Sequence, residues 1–206
     1  MNNLLLKSTI TCLIAFGFVE LAAEESNLAD RMEISESGQL SLKRKFSEKL
    51  ILPLGAEDFG RFKANNLKYI PDSRAYIQEW VAEGKDSNSL DEKITIIHER
   101  RKQLSICQLE VKMRNIGREM YAGSEYHLRT VHKSKGDIIL ISEAPNGHKD
   151  IPPFTAIMRH CFTPSGDQYI VYEKKNGVLS QDEKEMWVEK LKQAYVSDDT
   201  TQLGMK

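Results

Sequence analysis

At 206 residues, with 40% hydrophobic and 29% charged side chains, the chain has the make-up of a globular domain with its own core, which excludes a disordered or fibrous protein. Its formal net charge is -1 and it carries no long basic block, so nothing electrostatic favours nucleic acid or an anionic membrane surface as a partner. The short basic runs Lys43-Arg44-Lys45 and Arg100-Arg101-Lys102 read as solvated faces.

The first 23 residues have the order of a Sec-type secretory signal. One cation, Lys7, precedes the apolar run from Ile10 to Val19, and Leu21-Ala22-Ala23 places small residues just before Glu24-Glu25. The run is about half of the ~20 residues that a membrane-spanning helix requires. The expectation is therefore a periplasmic or secreted bacterial protein with no membrane association after cleavage behind Ala23. Cleavage removes one cation (Lys7) and one anion (Glu20), so the net charge is unchanged. Residues 24–38 read as a flexible N-terminal arm, 39–196 as a single domain and 197–206 as a disordered tail.

Within the domain, Leu40, Leu42 and Phe46 fall on alternate positions, the pattern of a half-buried strand, and Leu50-Ile51-Leu52 gives a second short one. Residues 56–74 carry apolar side chains, but Asn65-Asn66 and Pro71-Asp72-Ser73 argue against any long element there. Ala75 to Val81 and Lys93 to His98 flank a turn region at Gly84 to Ser89 and predict neighbouring antiparallel strands. Tyr76 and Trp80 share a strand face, and Trp80 is expected in one core with Trp187. A long helix is predicted from about Arg100 to Tyr121, because Ile106, Leu109, Met113, Ile116 and Met120 recur at helical spacing. Leu104, Cys107 and Val111 form a second, smaller stripe, so cover is expected on both sides, with Gly123 as the stop.

Hairpin patterns return after the helix. Tyr126 to His132 and Asp137 to Ile141 flank one turn, and Phe154 to Phe162 and Gln168 to Lys174 flank another at Pro164-Ser165-Gly166-Asp167. Ser180 with Glu183 three residues on is a capping box, opening a last helix whose packed side is Trp187, Leu191, Ala194 and Tyr195. The predicted fold class is α+β: an antiparallel β-sheet packed against a long central helix and a C-terminal helix.

No established catalytic motif is present: there is no Gly-x-Ser-x-Gly, His-Glu-x-x-His, Cys-x-x-Cys or glycine-rich phosphate loop. No catalytic residue, metal or cofactor is predicted. His160 and Cys161 are adjacent, but neighbours on a strand face opposite ways. Glu79 and Glu99 read as surface carboxylates. Once Cys12 leaves with the signal, Cys107 and Cys161 are either a disulfide, worth about 3–4 kcal/mol in the chain-entropy model, or two buried free thiols. Rigid prolines ahead of an aromatic make Ile151-Pro152-Pro153-Phe154 the candidate interface for a protein or small-molecule ligand, against the plainer reading of an edge-strand start.

The stretch Ile77-Gln78-Glu79-Trp80-Val81-Ala82-Glu83-Gly84, followed by Ile94-Thr95-Ile96, resembles poorly characterised exported bacterial proteins, and the element order over residues 40–196 resembles the PsbP-like arrangement of an antiparallel sheet packed between helices. That resemblance implies a non-enzymatic binding or accessory domain and assigns no functional residue. The competing expectation is a thiol- or histidine-dependent hydrolase or a metal-binding enzyme, in which Cys161, His98 and His132 share a cleft with a perturbed thiol.

Overall fold

A computed structural model describes residues 32–34, 40–42, 48–52, 61–70, 75–82, 91–99, 105–148, 151–163 and 166–198. Residues 1–23 with their signal-like pattern, most of the 24–38 arm, Leu104, the turn region at Gly84 to Ser89 and residues 199–206 lie outside this set. The strands are β1 (Met32–Ile34), β2 (Leu40–Leu42), β3 (Glu48–Ile51), β4 (Phe62–Ile70), β5 (Ala75–Ala82), β6 (Glu92–Glu99), β7 (His127–Lys133), β8 (Asp137–Ala144), β9 (Phe154–Thr163), β10 (Gly166–Lys175) and β11 (Tyr195–Asp198). The helices are α1 (Ile106–Met120) and α2 (Gln181–Gln193).

Seven strands form one sheet in the order β4-β5-β6-β10-β9-β8-β7, with every pairing antiparallel. Two small two-stranded ribbons, β1-β2 and β3-β11, are separate from it. The expected α+β class with a long central helix is corrected: among the described residues the protein is mostly antiparallel sheet, with two short helices. One cause is the start of α1. Ser105 caps it through a capping box, its Oγ accepting from the Gln108 backbone N–H and its own N–H donating to Gln108 Oε1 (2.9 Å). The cap limits the described rod to 15 residues. The other cause is β4, a nine-residue strand in the stretch where no long element is expected. Its register shifts between Ala64 and Asn66, so Asn65-Asn66 marks a bulge in a strand rather than a break.

Strand alternation divides the interior into two layers. On one face α1 places Ile106, Leu109 and Met113 over Ile77, Ile97, Ile138, Leu140, Met158, Tyr169 and Val171. On the other, Trp187, Val188 and Leu191 of α2 cover Ile94, Ile139, Ile141, Ile157, Ile170 and Tyr172. Trp187 stacks on Tyr172 at 3.8 Å between centroids and meets Phe62 edge-on at 6.1 Å. Trp80 packs against this second layer, so both tryptophans share one core. The capping box of α2 forms as its sequence requires, with Ser180 N–H donating to Glu183 Oε2 at 2.8 Å. Tyr195, expected on the packed side, is 53% exposed, because the chain leaves the helix at Ala194 and enters β11. Residues 197–198, expected in the tail, belong to that strand and pair with Lys49 and Glu48.

The buried stripe of α1 runs through Ile106, Leu109, Met113 and Gly117, whereas Ile116 is only half-buried. At 3.6 residues per turn, position 117 falls closer to the line of 106 and 113 than position 116 does. Gly117 is small for a reason. A Cβ there would lie 2.0 Å from the Tyr126 ring, which Tyr121 stacks against at 5.5 Å and whose hydroxyl accepts from Ser142 Oγ at 2.9 Å.

Candidate functional site

Antiparallel register on the α2-covered face aligns Tyr76, His98, Gln168, Cys161 and Asp137 in one row across β5, β6, β10, β9 and β8. His98 and Cys161 are two strands apart in this row, about 10 Å at ~4.8 Å per strand, beyond the reach of direct proton transfer. His132 enters from β7, with Nε2 3.9 Å from Asp137 Oδ2, and Cys161 Sγ lies 3.7 Å from Asp137 Oδ1. Of the thiol–histidine expectation, Cys161 and His132 thus meet at the Asp137 carboxylate, while His98 stands apart from them in the row.

The electrostatics of this group are those of a structural tie. Burial first, and then the Asp137 carboxylate, push the Cys161 thiol up to about 12, against the opposing pull of Arg159. A thiol in that state is protonated at neutral pH and is not a nucleophile. Arg159 holds Asp137 through Nε (3.0 and 3.1 Å) and Nη2 (2.6 Å), and its Nη1 donates to the carbonyls of Leu191 (2.6 Å), Lys192 (3.1 Å) and Ala194 at the end of α2. One guanidinium therefore links β8, β9 and the C-terminus of the helix. Among the described residues, no group of three His, Cys, Asp or Glu side chains is placed to hold a metal ion.

Of the two states expected for Cys107 and Cys161, the structure has free thiols, with Cys161 buried but Cys107 exposed. Cys161 is buried in the α2-side layer, whereas Cys107 is exposed on α1, which covers the opposite face. The sheet lies between them.

The Ile151–Phe154 segment is part of the packing rather than a free surface. Phe154 is buried and stacks on Tyr121 at 5.5 Å, and Ile151 packs against the same layer. His148 N–H donates to Ile151 O (2.9 Å) and Ile151 N–H returns a bond to His148 O (2.8 Å). Gly147, at φ +60°, permits this closure, since a Cβ there would meet Ile151 O at 2.5 Å. Pro152 and Pro153 sit just before β9, where the missing N–H leaves no ladder bond unmade.

Sequence reading alone did not assign a site to the outward side of α1. Cys107, Gln108, Val111, Lys112, Asn115, Ile116 and Glu119 line a groove of about 500 Å³ there. Val111 is 59% exposed, which overturns the expected cover on its stripe. The signal was present in the spacing of Cys107 and Val111. On the flank, Glu110 holds α1 to the sheet edge by accepting from Thr130 Oγ1 (2.5 Å) and pairing with Lys133. Lys133, first, and Thr130 hold the Glu110 carboxyl below its ordinary range.

No protein-family model, curated protein or solved structure matches this chain.

Proposed function

We propose that this chain is an exported bacterial binding or accessory domain, periplasmic or secreted, that performs no chemistry and contacts a protein or small ligand through the outward face of α1. The observation that carries the reading is the groove along Cys107 to Glu119, with Val111 largely exposed within it. Twelve helical steps make it about 18 Å long, a better match to a protein segment than to a compact small molecule. Lys112 and Glu119 lie two turns apart along it. A segment with an apolar side chain for Val111 and Ile116, acidic toward Lys112 and basic toward Glu119, has the complementary chemistry.

The thiol-dependent form of the hydrolase alternative needs a thiolate, and Cys161 with its thiol pushed up to about 12 does not supply one at neutral pH. The binding reading is tested by immobilising the mature chain and its Val111→Glu variant and quantifying what each recovers from the exported fraction. Val111 contributes little to the core, so melting is expected to be unchanged while recovery of the specific partner falls at least about tenfold, or ~1.4 kcal/mol. Equal recovery by both chains would remove this face from consideration.

A further inference from the structure

The α1-covered face of the sheet also holds an ionisable group that binding on the outside of the helix does not use. His160 is fully buried on β9, an interior strand next to the central β10. Its ring lies 4.0 Å from that of Tyr169, at 19° between planes, and 4.1 Å from that of Phe162. Nε2 stands 3.7 Å from Asp167 Oδ2, inside ion-pair range but too far for a hydrogen bond, and neither ring nitrogen makes a hydrogen bond among the described residues. Asp167 is directly opposite Glu99 in the β10–β6 register, and both are buried.

The groups around this imidazole come from each packed element. From β10 come Asp167 and Tyr169, β9 itself adds Phe162, and β6 places Glu99 across from Asp167, one strand farther from the ring. Asp137 on β8 acts on it electrostatically from farther away. The β8 residue opposite it is Ile138, and the α1 side chains in the layer around Tyr169 are the uncharged Ile106, Leu109, Met113 and Met120 among the described residues.

We propose that His160 and Asp167, with Glu99 across from Asp167 on β6, form a buried proton-binding site beneath α1, through which acid loosens that helix from the sheet. A neutral imidazole is at ease between two aromatic rings. An imidazolium there requires its counter-ion closer than 3.7 Å, or water, and either change moves the β9–β10 end of the layer that α1 covers. Burial lowers His160 below its ordinary value, and Asp167 offsets only part of that. With the folded value below the unfolded one, the stabilising contribution is present above the ordinary histidine range and is lost as pH falls through that range toward the folded value.

The test is amide hydrogen exchange on the full mature chain between about pH 7.5 and pH 5, corrected for the intrinsic pH dependence of exchange, spanning the ordinary histidine titration. Protection of α1 is expected to fall about tenfold more than that of α2, which packs on the opposite face and serves as the internal reference. In His160→Phe, which keeps a ring and removes the titration, that difference is expected to vanish. Loss of α1 protection that is the same in both chains would overturn the proposal. Should His160→Phe not fold, NMR titration of the wild-type imidazole decides: a midpoint below the ordinary value supports the site, and one at or above it overturns it.

Discussion

Replacing Lys93 by methionine is expected to lower the unfolding free energy by roughly 3–5 kcal/mol, the cost of removing one partner from a buried ion pair. Lys93 lies on the α1-covered face with its Nζ 3.7 Å from Glu79 Oε1 and 3.4 Å from Glu173 Oε2, and all three side chains are at most 7% exposed. Glu173 is its direct cross-strand neighbour in the β6–β10 register. Without the ammonium, two carboxylates share a region of low dielectric with their principal counter-charge gone. Lys175, 3.8 Å from Glu173, makes up only part of the loss. The triple replacement Glu79→Gln, Lys93→Met and Glu173→Gln removes all three charges together, so most of the stability is expected to return. Urea unfolding of the two variants measures the difference. A cost below about 1 kcal/mol for Lys93→Met would mean the pair behaves as a solvated one.

The second large effect is expected at Arg159. Its side chain is 13% exposed, against 18% for Asp137, so the pair is well removed from water. Its Nη1 satisfies carbonyls at the negative end of the α2 dipole, a role usually filled by a glycine-based C-cap. Arg159→Met strands the Asp137 carboxylate and frees those carbonyls, a loss of about 3 kcal/mol. Arg159→Lys keeps the charge and loses the fork, so about half of that loss is expected. Exchange protection should fall first in α2, while α1 on the other face keeps its own. Loss that begins in α1 would contradict the assigned connection.

Much of the sheet was legible because alternation and turn chemistry are local signals. The pairs β5–β6, β7–β8 and β9–β10 are the neighbours that their turns imply, and Ser180 with Glu183 marks the start of α2 without further context. Other features depend on partners distant in sequence. Glu79 and Glu99 read as surface charges, yet both are buried, Glu79 beside Lys93 of the adjacent strand. Local alternation cannot reveal that arrangement. Strand β4 was hidden because Asn65-Asn66 resembles a break until the bulge explains it. The extent of α1 was overdrawn because the basic residues at 100–102 are good helix formers, while Ser105 is the described cap.

The candidate site was legible in fragments. Cys107 and Val111 formed a stripe whose spacing was sound, but sequence could not show that Val111 faces outward. The Ile151–Phe154 segment misled for the opposite reason. Its composition suits an exposed recognition motif, yet the turn closed at Gly147 delivers Phe154 onto Tyr121.

Chemical labelling of the two thiols most directly tests whether a pleated wall separates them and keeps one inert. Native protein exposed to iodoacetamide at mildly alkaline pH, then mapped by mass spectrometry, is predicted to carry the label on Cys107, with Cys161 modified only after unfolding. Rapid alkylation of Cys161 in the folded chain, or a bridge joining the pair, would contradict both the layered arrangement and the non-catalytic reading built on it.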